Sequence, residues 1–120
     1  MTKNQEFFQK INEAFATGDV DFILEHTAED VVWNHVGQAV FEGKAAFAAE
    51  MEKMRGYTPQ NYVTKQIITH GDSAVIEGSM TIPDEEGIDK TYAFCDIYKL
   101  NKFKDGKIKE LTAYLIVVNA

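Results

Sequence analysis

TYAFCDIYKL (residues 91–100), NKFKDG (101–106) and KIKELTAYLIVV (107–118) decide the fold. Two β-rich apolar runs flank Asp105-Gly106. Asp-Gly in that setting predicts a two-residue hairpin, because a type I′ turn needs positive φ at both central positions. Pairing Lys104 with Lys107 then sets Tyr98 opposite Ala113, Asp96 opposite Leu115 and Phe94 opposite Val117. Facing residues share one side of a sheet. One face therefore reads Phe94, Asp96, Tyr98, Leu100, Leu111, Ala113, Leu115 and Val117, with Asp96 as its single charge. The other face, with Cys95, Ile97 and Lys99 against Thr112, Tyr114, Ile116 and Val118, is also largely apolar, so it is expected to meet helices, a ligand or another subunit. An unpaired carboxylate in an apolar row costs several kcal/mol, so Asp96 must be paired, hydrated, protonated or set in a cavity.

The chain has 120 residues, 45% of them hydrophobic and 12% aromatic. This is enough for one domain, residues 1–120, around a single core. A formal charge of -7, from 12 basic and 19 acidic side chains without a basic run, argues against a nucleic-acid partner. The opening MTKNQEFF lacks a signal-peptide core, and no apolar stretch approaches membrane-spanning length. A cytoplasmic protein without membrane association is expected. The single cysteine, Cys95, excludes an internal disulfide and reads as a small apolar side chain.

Upstream, Phe7, Phe8, Ile11, Ala14 and Phe15 recur at helical spacing behind Asn4, a candidate cap, and Gly18 can close the helix with positive φ. Asp19 or Asp21 can cap a second helix running to about His26. Val31 to Val36 reads as a strand ended by Gly37. A third helix opens at Gly43-Lys44, carries Phe47, Met51 and Met54 on one stripe, and ends by Gly56 and Pro59. Tyr62–Thr69 and Ala74–Ile82 are two further strands. The order is ααβαββββ: an α+β domain with a mainly antiparallel sheet curled around a helical layer, leaving a pocket at its open end.

This order, and the phrases Thr17-Gly18-Asp19, Ala28-Glu29-Asp30-Val31-Val32-Trp33, Phe41-Glu42-Gly43-Lys44, Asp96-Ile97-Tyr98-Lys99-Leu100 and Asp105-Gly106-Lys107-Ile108, resemble the nuclear transport factor 2-like superfamily. Its members include SnoaL-like polyketide cyclases and ketosteroid isomerase. The resemblance spans nearly the whole chain and implies a cone-shaped curved sheet with three helices on its concave face, and commonly a homodimer through the convex face. Ketosteroid isomerase uses an Asp base and an oxyanion hole of a Tyr and a protonated Asp. By position, the resemblance puts the oxyanion-hole Asp at Asp96, but the base falls on Asn34 and the Tyr on Ile11. An amide cannot take a proton from carbon, so the mechanism requires His35 to substitute from the next position. The Asp-Arg-Asp arrangement of limonene epoxide hydrolase is poorly matched, since Arg55, at a helix end, is the only arginine.

Asp96 and His35 are the candidate catalytic residues: a carboxyl in an apolar row and an imidazole suited to proton transfer near neutrality. Trp33 shares a face with His35 on a regular strand, while Asn34 points the other way, and the sequence alone leaves open which set meets the cavity. Ile11, Phe15, Phe47, Met51, Tyr98, Leu111 and Leu115 are candidates to line an apolar cavity or to fill it. His26, His35 and His70 lack zinc-site spacing, so neither a metal nor an organic cofactor is expected. The functional expectation is a pocket for a small hydrophobic carbonyl or cyclic molecule, with isomerase, cyclase or hydrolase chemistry. The alternatives are a non-catalytic binder and a dimeric interaction domain with a vestigial pocket.

Overall fold

A computed structural model describes residues 1–55 and 58–119. Helix α1 (Lys3–Thr17) begins with a capping box: Gln5 donates its backbone N–H to the Thr2 hydroxyl, and the Thr2 backbone N–H donates to the Gln5 side chain. Thr2, not Asn4, is therefore the cap. Asn4 instead donates Nδ2 to the carbonyls of Gly71 and Phe103, tying α1 to two strand connections. Gly18 ends α1 in the left-handed region at φ 73°, where a Cβ would be strained. Asp19 caps α2 (Val20–Glu25) by accepting from the Phe22 N–H.

Strand β1 (Thr27–His35) follows at once, paired with a short strand absent from the expected order, β2 (Ala39–Glu42). Helix α3 (Lys44–Glu52) comes next. It leads past Met54 and Arg55 to Gly56, which lies outside the described residues, and Pro59 precedes the next strand. Strands β3 (Gln60–His70), β4 (Ser73–Pro83), β5 (Asp89–Leu100) and β6 (Ile108–Asn119) complete the chain. They form one curved, unclosed sheet of order β2-β1-β6-β5-β4-β3, in which β1 and β6 are parallel and the other neighbours antiparallel. The expected element order thus holds, with β2 as an addition.

The central hairpin differs from its expected register. Asp96 pairs with Ala113, Tyr98 with Leu111 and Phe94 with Leu115, so the strands slip by two residues relative to a Lys104–Lys107 pairing. Residues 101–107 form a longer connection, closed by the Asn101 N–H on the Lys107 carbonyl and the Lys107 N–H on the Asn101 side chain. Asp105 takes positive φ, 53°, but Gly106 does not. Glycine is needed at 106 for space: a Cβ there would run into the Lys102 carbonyl and come within 3.0 Å of Leu100 Cβ. A slip of two keeps every side chain on its face, so the apolar row with its one carboxyl survives.

That row is the inner face of the sheet. Phe8, Ile11 and Ala14 of α1, Val20 and Ile23 of α2, and Phe47 and Met51 of α3 bury it together with Ala74, Ile76, Phe94, Tyr98 and Leu111. The helices occupy the concave side, α3 against β1 and β2, α1 against β3. Among the described residues no helix is long and apolar enough to cross a membrane.

Candidate functional site

Asp96 sits on β5 between Ile76 of β4 and Ala113 of β6, and Ala113 in turn pairs with His35 of β1. Inward-facing residues thus form the row Ile76, Asp96, Ala113, His35 across four strands. Two strand spacings separate the backbones of Asp96 and His35, about 10 Å. Between them stands a methyl group, so the sheet carries a gap flanked by a carboxyl and an imidazole.

Around the gap lies a cavity of about 240 Å³. Trp33 and Leu111 wall one side, Leu115 and Phe94 the other, with Met80 and Ile82 farther along β4. Phe15 of α1, Met51 and Met54 at the end of α3, and Tyr62 of β3 cover it. Trp33 is held by contacts with Phe41 and Phe47 at ring separations of 5.1 and 5.5 Å, and stacks on His35 at 5.8 Å and 9°. Its Nε1 is buried without a partner among the described residues. Tyr62 stacks on Phe94 at 5.3 Å and donates its hydroxyl to Asn12 Oδ1 at 2.7 Å. Asn12 passes the constraint on by donating Nδ2 to the Thr64 hydroxyl at 2.7 Å.

Surrounding apolar atoms desolvate the Asp96 carboxyl and push its pKa from an ordinary 3.8 to about 7. Among the described residues no hydrogen bond or cation offsets that cost. The group is only half-buried by accessible area because its free surface opens onto the cavity. Burial also lowers the pKa of His35 below 6.5, favouring the neutral imidazole. The phenols of Tyr62 and Tyr98 are both pushed up, first by burial and then by the nearby charge of Asp96.

The sequence candidates therefore separate. Asp96, His35, Trp33, Phe15, Met51, Leu111 and Leu115 meet at the cavity. Asn34 pairs with Thr112 on the outer face, which removes it from the cavity and gives His35 the inward position. Ile11, Phe47 and Tyr98 are 0–1% exposed and belong to the packed core rather than the cavity wall. Sequence reasoning missed Met54, Tyr62, Met80, Ile82, Phe94 and Ala113 as wall residues. For Ala113 and Phe94 the signal was present, because the correct register places them beside and next along from Asp96. His26 is structural: its Nδ1 lies 2.8 Å from the Phe22 carbonyl and its ring sits against Phe7 and Phe22. Among the described residues, no three His, Cys, Asp or Glu gather as a metal-binding group.

Known structures share this fold. An NTF2-like protein of unknown function from Cytophaga hutchinsonii is 28% identical, with a TM-score of 0.69 over 91% of this chain and 96% of its own. A putative SnoaL-like polyketide cyclase from Shewanella putrefaciens is 15% identical, with a TM-score of 0.79 over 97% of this chain and 81% of its own. An LEH-like epoxide hydrolase from M. tuberculosis is also 15% identical, with a TM-score of 0.71 over 90% and 78%. At the latter identities the likeness concerns the fold alone. No curated protein matches the sequence. The SnoaL-like domain family matches residues 8–111, from the first buried aromatic of α1 to the wall residue of β6, and the chain belongs to that family.

Proposed function

We propose that this protein binds a small hydrophobic molecule bearing a carbonyl or similar oxygen, and that Asp96 and His35 carry out acid–base chemistry on it of the isomerase, cyclase or hydrolase kind. The observation that carries the reading is an unpartnered carboxyl, half protonated near neutrality, facing a neutral imidazole across Ala113 in an otherwise apolar cavity. A protonated Asp96 donates a hydrogen bond to the ligand oxygen. Neutral His35 accepts a proton from the carbon next to the carbonyl, the C–H electron pair moves into the C–C bond, and the enol oxygen takes up the charge beside Asp96. Trp33, stacked on His35, fixes the imidazole plane. The reading requires neither a metal nor an organic cofactor, and a cytoplasmic setting fits the lone, half-buried Cys95.

Cyclohexanone in D₂O tests this. The protein should accelerate exchange of the ring's α-hydrogens, seen by NMR, and His35→Phe should abolish the acceleration while leaving binding in place. Asp96→Asn should retain much of the binding, and Asp96→Ala should weaken it about tenfold, the loss of a hydrogen bond worth about 1.5 kcal/mol. Exchange no faster than in buffer, with the Asp96→Ala loss intact, would reduce the protein to a non-catalytic binder. Equal affinity in Asp96→Ala would remove Asp96 as the anchor.

A second reading rests on the outer sheet face. Ile97, Tyr114, Ile116 and Val118 are 40–63% exposed in one contiguous row beside Thr112. We infer a homodimer through this convex face, since such a row is more apolar than an open surface favours.

A further inference from the structure

Among the described residues the cavity wall offers acceptors but no cationic side chain. Tyr62 spends its hydroxyl hydrogen on Asn12. The indole N–H of Trp33, buried without a partner among the described residues, is a single neutral donor on a wall residue. Backbone N–H groups beneath the floor belong to the strand ladders. Among the described residues the Asp96 carboxyl and the His35 imidazole, an acceptor at one ring nitrogen, face the space, and no lysine or arginine lines it. Among the described residues four aromatics, Phe15, Trp33, Tyr62 and Phe94, line the cavity with these acceptors, and aromatic rings attract cations when water is excluded. A ligand complementary to such a wall is a donor with positive charge and a hydrocarbon body.

We propose that the cavity also binds a small organic ammonium ion, with the Asp96 carboxylate as counter-ion, His35 as a second acceptor and the aromatic wall around the hydrocarbon part. The same inventory disfavours an anionic ligand, which would meet the carboxyl and no lysine or arginine among the described residues. The 240 Å³ cavity equals the volume of about eight liquid waters, so the ion is of single-ring size. Ammonium binding uses the ionised carboxyl, whereas the carbonyl reading uses the protonated one. One residue therefore selects between two ligand classes as pH crosses its titration. The titratable groups facing Asp96 are Tyr62 from β3, Tyr98 from its own strand and His35 across Ala113, while β4, α1 and α3 present Ile76, Phe15 and Met51. Both phenols stay protonated, leaving Asp96 and His35 to change charge.

Cyclohexylammonium and cyclohexanone, of the same ring size and opposite polarity, separate the two classes in titrations followed by calorimetry or by the Trp33 indole signal. From pH 8 to pH 6 the ionised fraction of a group titrating near 7 falls about tenfold, so the apparent affinity for cyclohexylammonium should fall about tenfold, while that for cyclohexanone rises. Asp96→Asn should reduce cyclohexylammonium binding at least tenfold and leave cyclohexanone within about threefold. Loss of ketone binding with the ammonium response intact would overturn the carbonyl reading and leave this proposal standing. Cyclohexylammonium binding that is absent at pH 8, or unchanged by Asp96→Asn, overturns the proposal.

Discussion

Replacing Asp96 by Asn should stabilise the protein, and by an amount that depends on pH. In the unfolded chain the carboxyl loses its proton near 3.8, whereas in the folded protein it holds it to about 7. Below 3.8 both states are protonated and Asp96 contributes no pH-dependent difference. Between the two values the folded state binds more protons, so stability falls as pH rises, and above 7 the penalty is complete. At about 1.4 kcal/mol per pH unit between the two values, it amounts to about 4 kcal/mol. Asn keeps the shape and is equally neutral at every pH, so the difference between variant and wild type should be near zero at pH 4 and approach about 4 kcal/mol at pH 8. Urea unfolding of both proteins at half-unit steps from pH 4 to 8 measures it. Other groups, such as Asp84, held low by the Ile88 N–H and Lys90, titrate alike in both proteins and cancel. A difference that stays constant across the range would show that the carboxyl is not desolvated and would refute the account of the site.

Two further outcomes are expected. Gly78→Ala places a Cβ against the Val63 carbonyl and within 2.7 Å of Phe94 Cζ, so it should cost about 3 kcal/mol in denaturant unfolding, and a loss below about 0.5 kcal/mol would show that the cavity wall yields freely. Tyr114→Glu sets a charge in the exposed outer row and should convert a dimer to a monomer in sedimentation at micromolar concentration. A wild-type monomer there would dismiss the dimer.

Face assignments were legible in the sequence because side-chain alternation has period two, and an error of two residues in pairing leaves them intact. The pairing itself was misread at Asp105-Gly106. The sequence offers no distinction between a glycine required for positive φ and one required for close approach. Gly106 is of the second kind, and the connection is correspondingly longer than two residues. Two residues of the candidate site were legible singly, Asp96 by its isolation and His35 by its chemistry, and both line the cavity. Their juxtaposition was hidden because the misread register put Leu115 opposite Asp96, where a large side chain would close the gap. Ile11, Phe47 and Tyr98 carry the same spacing signals as true wall residues, and only the depth at which helices meet the sheet assigns them to the core. Asn34 and His35 differ by a single position, and the pairing of β1 with β6 decides which faces inward.

The row through Ile76, Asp96, Ala113 and His35 also explains why a costly carboxyl is tolerated. A domain of this size has about 5–15 kcal/mol of net stability, so a penalty of about 4 kcal/mol above pH 7 is a large share of it. No structural partner in the fold requires it: Ala74 and Ile76, nearby on the same inner face, are packed core residues. An apolar residue at 96 would pack the gap beside Ala113 and remove the one carboxyl that lines the cavity among the described residues. A local rule broken without structural compensation is what a functional position is expected to show, and here the break coincides with the smallest residue of the row and with the inward histidine. The same desolvation that weakens the fold brings the carboxyl's titration to neutrality, where it can donate a proton or hold a cation. A hydrogen-bond donor placed to relieve Asp96 would restore stability and remove that choice. Tyr62 is near enough for its phenol to respond to the charge of Asp96, yet its hydroxyl is committed to Asn12. The Asn12–Tyr62 bond thus commits the phenol that lines the cavity among the described residues, and on the proposed reading the free energy left unrecovered is what a ligand would gain by entering.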